Sequence, residues 1–287
     1  MKLIKSSFEI LEQLPGLEGV YKQIELAGRT CYKSEDKITE DSAKEFVDRM
    51  IKSGHGAMLE HGTVYLKWQQ TYHWDGMYGD DCIYDGNPLD KYKSNKYSKF
   101  TKFASMTITN NKDNSTYYVT TNLRVLVENN WLSDLQYICE PTEHHEKRHT
   151  VKFTCDRGVS HEFVRHRVFS FAQESTRYCN YSKDKFGNEI TYIQPCWEMQ
   201  KDEEELFLLQ LEQAQNSYNA LISSGWKAQE ARAILPNALK TELVMTGFES
   251  DWEHFFFLRT PGSAHPQARE LAIPLKEEFI KRNYIKQ

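Results

Sequence analysis

The sequence lacks the features that mark several large classes of protein. No run of about 18 apolar residues occurs, so we predict no membrane-spanning helix and no membrane partner. The first segment, MKLIKSSFEILEQLPG, has none of the apolar stretch that secretory signals carry. No proline-rich or glycine/serine-rich linker and no internal repeat divides the chain. These absences predict a cytoplasmic protein that folds as a single domain over residues 1–287.

An excess of positive charge is also missing. The chain has 36 Lys and Arg against 41 Asp and Glu, a net charge of -5. Proteins whose main task is to bind long nucleic acids are usually basic, so we expect no nucleic-acid partner. No G-x-G-x-x-G occurs, which disfavours a Rossmann cofactor site. The six cysteines include no C-x-x-C pair and are too sparse for a disulfide scaffold, so we expect reduced thiols.

Two groups of histidines raise the question of a metal. His161-Glu162 followed by His166 resembles a zinc-protease helix, but that site needs histidines four positions apart, and a spacing of five turns them away from each other. His144, His145 and His149 stand beside two glutamates, a pattern that a polar loop also explains. We therefore predict no metal site.

The composition that is present, 39% hydrophobic and 27% charged, is that of a globular protein. Periodicity predicts strands at 63–68, 117–121 and 151–155, and helices at 39–54, 122–138, 203–223, 227–235, 238–247, 250–259 and 266–282. Strands in the first half and helices in the second favour an α+β fold over a doubly wound parallel sheet. Residues 69–116 are rich in Tyr, Lys and Asp and are interpreted as part of a surface insertion.

The stretch 157–177, RGVSHEFVRHRVFSFAQESTR, is the most unusual in the chain. It holds four of the 12 arginines and none of the 24 lysines. A guanidinium is preferred to an ammonium where a planar fork must grip a phosphate or a carbonyl-rich ring. Phenylalanines separate groups of every hydrogen-bonding type, which indicates a lined pocket more than a solvated helix face. Because Arg165, His166 and Arg167 are consecutive, they cannot all point one way, and we expect them to serve two or more ligands, or one ligand and a neighbouring subunit.

This stretch resembles the diagnostic motif of the flavin-dependent thymidylate synthases. That motif is R-H-R, here residues 165–167, followed after seven residues by Ser175 and then by Arg177 and Tyr178. Further blocks are similar to that family in the same order: GRTCY at 28–32, SGHGAMLEH at 53–61, EARAILP at 230–236, WEHFFFLR at 252–259 and HPQARELA at 265–272.

The resemblance implies a fold of antiparallel sheet plus helices. It also implies an FAD cofactor, the substrate dUMP, methylenetetrahydrofolate as carbon donor and NADPH as reductant. The product would be dTMP. A homotetramer with active sites shared between subunits is implied as well, which agrees with the divergent R-H-R side chains.

The resemblance also assigns roles by position. It implies these residues for dUMP binding: Glu162, Arg165, Gln173, Glu174, Ser175, Thr176, Arg177, Arg232 and Arg259. It implies these for flavin binding: His55, Ala57, Glu60, Arg165, His166, Arg167, Gln173 and His254. Arg259 would act catalytically at the uracil ring, since a fixed positive charge there stabilises the N3-ionised form and directs negative charge toward C5. That route needs no cysteine attack, and we assign Ser175 to binding and orientation.

Several positions depart from the family pattern. Glu162 replaces a usual Gln, Ala57 replaces a frequent Ser or Thr, Phe248 stands where an adenine-contacting Asn is common, and Gln173-Glu174 replaces Asn-Glu. About 85 residues are also inserted between the blocks. We interpret 69–149 as an ordered subdomain, because it is rich in aromatic residues. We expect it to cover the folate and NADPH side or to extend the tetramer contact, and a decorative excursion is the alternative.

Two other functions stay open on the sequence alone. A flavin-dependent uracil C5-hydroxymethylase would use the same dUMP and folate sites and let water intercept the one-carbon adduct. A nucleotide- or RNA-binding module would use the Arg/Phe stretch to stack bases. Product analysis separates the first from a methylase, and the absence of a yellow flavin would point to the second.

Overall fold

The structure is a computed structural model that describes residues 1–73, 86–107, 112–181 and 189–286. The strands are β1 (Lys2–Ile4), β2 (Ser7–Leu11), β3 (Thr63–His73), β4 (Lys99–Thr107), β5 (Lys112–Asn122), β6 (Arg148–Asp156), β7 (Ser170–Gln173), β8 (Thr191–Ile193) and β9 (Lys240–Phe248). The helices are α1 (Gly16–Tyr32), α2 (Ser42–Lys52), α3 (Gly56–Leu59), α4 (Leu123–Glu128), α5 (Arg157–Phe163), α6 (Lys201–Ser223), α7 (Ala228–Ala231), α8 (Glu249–Arg259) and α9 (Pro266–Lys281). Short 3₁₀ helices lie at Glu35–Lys37, Asp90–Ser94, Leu132–Tyr137 and Arg232–Ile234.

The chain divides into two compact units. The first unit comprises residues 1–12, 26–39 and 149–287, and the second comprises 13–25 and 40–148. Antiparallel strand pairs and packed helices confirm the α+β prediction, and β1 pairs with β8 in parallel. The described helices include none that is both long and apolar enough to cross a membrane.

The first unit is built on a four-stranded sheet in the order β2-β6-β9-β7. Its β2–β6 and β7–β9 pairs are antiparallel. The helix α9 places Ala268, Leu271, Leu275 and Phe279 on one buried stripe, the spacing of an amphipathic helix. That stripe and the aromatic residues of α8 share one core with the sheet. In β9, a side chain at Gly247 would approach the Phe169 ring to 2.5 Å, so this close packing requires glycine.

The strand β9 corrects the helix predicted at 238–247. Its neighbours in the sheet are β6 and β7, and its residues from Leu243 to Phe248 are all buried. A strand covered on both faces shows a continuous apolar run, and such a run cannot be distinguished from a buried helix by periodicity. With β6 to β9 in the second half of the chain, strands and helices are also less separated along the sequence than we expected.

The second unit contains a three-stranded antiparallel sheet in the order β3-β5-β4. One face of this sheet packs with α2 and α4, and the core includes Phe46, Leu66, Tyr92, Val119 and Leu126. The strands and helices predicted at 39–54, 63–68 and 117–121 are confirmed here.

The helix predicted at 122–138 is correct only at its ends. α4 stops at Glu128, and a 3₁₀ helix follows at Leu132–Tyr137. Between them Asn130 adopts a left-handed φ of 59°, a conformation that Asn tolerates and that ends a helix. The predicted insertion at 69–149 forms β4 and β5: β5 pairs with β3 on one side and with β4 on the other, and both strands supply part of the core. Its residues 74–85 and 108–111 lie outside the described residues.

Candidate active site

The R-H-R segment lies just after α5, in the first unit. Asp156 caps that helix by accepting a hydrogen bond from the Val159 amide at 2.7 Å. Phe163 at its end is fully buried in the core and fixes where the chain leaves the helix. His166 is then buried, 6% exposed, while Arg165 and Arg167 on either side are exposed. The burial confirms that the three consecutive side chains do not point one way.

Arg259, at the end of α8, holds His166 and Glu162 together. Its Nε donates to His166 Nε2 at 3.0 Å and its Nη1 to Glu162 Oε2 at 2.7 Å. Its Nη2 donates to the Glu162 carbonyl at 2.6 Å. A guanidinium has five N–H groups, so two stay available to a ligand. Arg259 is therefore rigidly oriented and still has donors to offer.

The His166 imidazole is neutral at physiological pH. Its pKa is lowered to about 4, chiefly by burial and also by the positive charge of Arg259 and by the neighbouring His254. Because Nε2 accepts from Arg259, Nδ1 carries the proton. Within the described residues, this Nδ1–H has no protein partner. His166 thus presents one hydrogen-bond donor whose partner must come from outside the described chain.

Glu162, the departure from the usual Gln, sits between two arginines. Besides its bond to Arg259, its Oε1 lies 3.5 Å from Nη1 of Arg165, whose side chain is 70% exposed. Its charge is therefore compensated by neighbouring guanidinium groups. A carboxylate balanced in this way repels a bound phosphate less than an isolated one would.

The loop 174–177 follows β7 and is fixed by its backbone. The Glu174 amide donates to the Glu242 carbonyl at 2.8 Å, and the Ser175 amide donates to the Cys31 carbonyl at 3.0 Å. Just before it, Gln173 donates through Nε2 to the hydroxyls of Ser160 and Thr241 at 2.8 and 3.2 Å. The Gln173 Oε1 is left as an acceptor.

Two arginines contact residues at the far end of this loop. Arg232 donates to Thr176 Oγ1 at 2.9 Å, which brings together two residues that are 56 positions apart. Arg177 is exposed and lies over the Tyr178 ring at 5.5 Å. The Ser175 hydroxyl makes no hydrogen bond within the described part of the chain. The arrangement offers guanidinium and hydroxyl donors to an anion.

The thiols near this loop have raised pKa values. Burial is the largest cause that raises the pKa of Cys31 to about 11 and that of Cys179 to about 12, with the Glu174 charge adding to both. The pKa values of Cys139, Cys155 and Cys196 are also raised by burial. A thiol protonated at neutral pH is a poor nucleophile, so none of these cysteines is set up for attack. Cys82 lies outside the described residues.

The other predicted flavin residues lie in the second unit. His55 and Ala57 are exposed at the start of α3. Glu60 at the end of that helix is hydrogen-bonded to Arg124, which also donates to Glu128 at 2.7 Å. The structure thus brings Glu162, His166, His254 and Arg259 together, and it brings Thr176 to Arg232. The roles assigned to all these residues stay predictions.

Sequence reasoning missed the groups behind the loop. Lys240 and Tyr181 both contact the Glu174 carboxylate, at 2.9 and 3.1 Å. The alternation of Lys240 and Glu242 would have indicated a shared strand face, but 238–247 was predicted as a helix. No group of three or more metal-ligating side chains is found among the residues that the structure describes.

Comparisons with known proteins give matches to one family. A family model described as thymidylate synthase complementing protein matches residues 139–282, half of the chain. A flavin-dependent thymidylate synthase from Geobacter sulfurreducens is 32% identical over 119 residues, 42% of this chain and 50% of that relative. One from Pyrococcus furiosus is 34% identical over 134 residues, 46% of this chain and 54% of that relative. The chain thus spans about half the length of the curated relatives it matches.

Solved structures give a weaker likeness. A crystal structure of a UMP/dUMP methylase, PolB, from Streptomyces cacaoi bound with 5-Br dUMP has a TM-score of 0.44 and 16% identity, covering 98% of this chain and 93% of that one. The same methylase bound with 5-Br UMP has a TM-score of 0.45 and 14% identity. A likeness of this extent carries no conclusion about function.

Proposed function

The chain belongs to the thymidylate synthase complementing protein family, that of the flavin-dependent thymidylate synthases, and on this premise we propose that it converts dUMP to dTMP with FAD as cofactor. The observation that carries the proposal is the loop 174–177, where Arg232 contacts Thr176 and Arg177 is exposed. This loop, the R-H-R segment and Arg259 all fall inside the matched segment.

The loop offers what a nucleotide monophosphate needs. Two guanidinium groups, those of Arg177 and Arg232, supply charge-assisted donors for a phosphate dianion. The Ser175 hydroxyl, without a partner in the described residues, adds a neutral donor. We assign the dUMP phosphate to this group, with Glu162, Arg165, Gln173 and Arg259 as the further proposed dUMP residues.

The residues proposed for flavin fit an anionic cofactor. Arg165 and Arg167 are exposed, and the contact of Arg165 with Glu162 is long, at 3.5 Å, so both can donate to the FAD diphosphate. The free Nδ1–H of His166 suits a flavin carbonyl or ring nitrogen. His55, Ala57, Glu60, Gln173 and His254 complete the proposed set. When bound, the reduced flavin supplies the hydride that turns the transferred one-carbon unit into a methyl group.

Arg259 acts on the uracil ring in this proposal. Its side chain is 12% exposed, and three of its N–H groups are bound to Glu162 and His166. The remaining two donate to the ring oxygen and nitrogen at the N3/C4 edge and stabilise negative charge there, which makes C5 more nucleophilic. Glu162 and His166 keep the guanidinium plane fixed, so no reorganisation is needed as the charge develops. This route needs no enzyme nucleophile, which agrees with the raised pKa values of Cys31 and Cys179.

Family membership alone supports the co-substrates and the assembly. We propose methylenetetrahydrofolate as carbon donor, NADPH as reductant and a homotetramer with shared active sites. These proposals extend beyond the half of the relatives' length that the chain matches.

The test is a reaction with the purified holoenzyme. We expect flavin absorbance in the visible, and dTMP from dUMP only when methylenetetrahydrofolate and NADPH are both present. Mass analysis separates dTMP from 5-hydroxymethyl-dUMP, so the hydroxymethylase alternative is tested in the same assay. Protein without flavin, or flavoprotein that leaves dUMP unchanged, would overturn the proposal.

A further inference from the structure

Behind the loop 174–177, five charged side chains of alternating sign form one chain in the first unit. Glu35 binds Lys33 at 2.8 Å, and Lys33 binds Glu242 at 2.8 Å. Lys240 then bridges Glu242 at 2.8 Å and Glu174 at 2.9 Å. The Tyr181 hydroxyl donates to the other oxygen of Glu174 at 3.1 Å. Each of the three carboxylates in this row of five side chains, Glu35, Glu174 and Glu242, therefore pairs with at least one lysine.

The network connects three separate parts of the sequence. Lys33 follows α1, Lys240 and Glu242 lie on one face of β9, and Glu174 opens the loop. The backbone repeats these connections, since the Glu174 amide bonds Glu242 and the Ser175 amide bonds Cys31. Side chains and main chain thus both connect the start of the loop to β9 and to the end of α1.

Burial decides what the Glu174 carboxylate can do. Its side chain is only 2% exposed, whereas Lys240 and Glu242 are each 15% exposed. To reach a ligand, Glu174 would have to leave both Lys240 and Tyr181, and those groups would lose their partners in a buried setting. An anchoring role therefore fits the geometry better than a direct contact with a nucleotide.

We propose that Lys240 is a positioning residue for dUMP: it holds Glu174 and thereby fixes Ser175, Thr176 and Arg177, without touching the nucleotide itself. The inference rests on the proposed dUMP function of that loop. It changes the expected role of Glu174 from a ligand-binding carboxylate to the anchor of the residues that bind.

The removal of Lys240 should act on dUMP affinity and not on chemistry. In Lys240→Met the apolar stem is kept and the ammonium is lost, so Glu174 is left buried with Tyr181 as its remaining partner. We expect the KM for dUMP to rise about tenfold or more, with kcat and flavin content within about threefold of wild type, since a lost loop anchor weakens ground-state and transition-state binding alike. Lys240→Arg, which keeps the charge, should restore most of the affinity.

Glu174→Gln distinguishes an anchor from a ligand. The amide oxygen of this variant can still accept from Lys240 while its NH2 group donates to the Tyr181 hydroxyl, so we expect the KM to stay within about threefold of wild type. In the double variant with Lys240→Met, no uncompensated charge remains, and most of the dUMP affinity should return. As a matched control, Lys152→Met breaks a 2.9 Å pair with Glu9 on the same sheet and should leave the KM unchanged.

The outcomes are distinct. A wild-type KM in folded Lys240→Met, or a large loss of dUMP affinity in Glu174→Gln alone, overturns the positioning role while the proposed function stands. Failure of the double variant to recover affinity has the same meaning. If wild-type holoenzyme itself does not bind dUMP, the proposed function fails, and the positioning role fails with it.

Discussion

Among the described residues, each of the two units buries a histidine whose pKa is lowered, and the two side chains have different hydrogen-bond partners. In the second unit, His145 accepts at Nδ1 from the Thr142 amide at 3.1 Å, and its Nε2 donates to the Leu66 carbonyl at 3.1 Å. Burial is the main cause of its lowered pKa. Both ring nitrogens are satisfied by backbone groups of their own unit. This histidine joins the segment around residue 142 to the sheet.

His166 in the first unit is satisfied on one side only. Arg259 donates to its Nε2, and no partner for its Nδ1 exists in the described ranges. A lowered pKa alone therefore does not separate a structural histidine from a functional one, because burial produces both. The difference lies in whether the remaining hydrogen-bonding group is used by the protein. Two other predicted flavin residues differ in the same way: Glu60 is paired with Arg124 of its own unit, whereas the Arg167 side chain is exposed.

The largest expected effect tests whether Arg259 supplies geometry as well as charge. Arg259→Lys keeps the positive charge and loses the fork that bonds Glu162, His166 and the ring at once. We expect turnover of dUMP to fall about 100- to 1,000-fold, the usual cost of a lost transition-state donor. Flavin absorbance and the melting temperature should change little.

Arg282→Lys is the matched control for this prediction. Arg282 also donates to two carboxylates, Glu278 and Glu12, but on the surface of the first unit, and its replacement should leave turnover unchanged. Turnover of Arg259→Lys within threefold of wild type would contradict the catalytic assignment.

A second prediction uses pH to sharpen the contrast at His166. Its pKa falls from an ordinary 6.5 to about 4 on folding, so the unfolded chain binds the proton first. The free energy of unfolding is therefore highest above pH 6.5, where His166 is neutral in both states. It should fall by about 3 kcal/mol as the pH is lowered to 4. His166→Gln, whose amide oxygen can still accept from Arg259, should lose less stability over this range.

Chemical denaturation at pH 7 and at pH 4 measures this difference. His161→Asn changes an exposed histidine in the same segment and should behave like wild type. Identical pH dependence in wild type and His166→Gln would show that the neutral state of His166 is not maintained by folding.

The family motif in the candidate site is easier to recognise from the sequence than the strand that lies behind it. Arg165, His166 and Ser175 are recognisable because their spacing along the chain is itself the motif. The strand β9 is not, because a strand buried on both faces has no alternation from Leu243 to Phe248. Without that strand, the shared face of Lys240 and Glu242 could not be predicted, because residues two positions apart lie on one face in a strand and not in a helix. The Arg232–Thr176 contact depends on tertiary packing that no local pattern encodes.

A third prediction concerns the satisfied interior of the second unit. Tyr92 is fully buried and donates to Asp134 at 2.8 Å, and Lys91 pairs with the same carboxylate oxygen at 2.7 Å. Tyr92→Phe should lower the free energy of unfolding by about 2 kcal/mol, the usual contribution of a buried hydrogen bond to a charged group. Tyr97→Phe removes the hydroxyl of an exposed tyrosine nearby and should have no measurable effect. Equal stability of the two variants would contradict the structural role of this interior pair.

The smallest expected effect is that of Ser175→Ala. Since its hydroxyl has no partner within the described residues, its removal should leave the stability of the free protein unchanged. A neutral hydroxyl that binds nucleotide contributes about 0.5–1.5 kcal/mol, so the KM for dUMP should rise about two- to tenfold while dTMP still forms. Ser224→Ala, at the exposed end of α6, is the control and should match wild type. If dTMP formation were abolished with dUMP affinity unchanged, Ser175 would act as a nucleophile, and the route through Arg259 alone would be wrong.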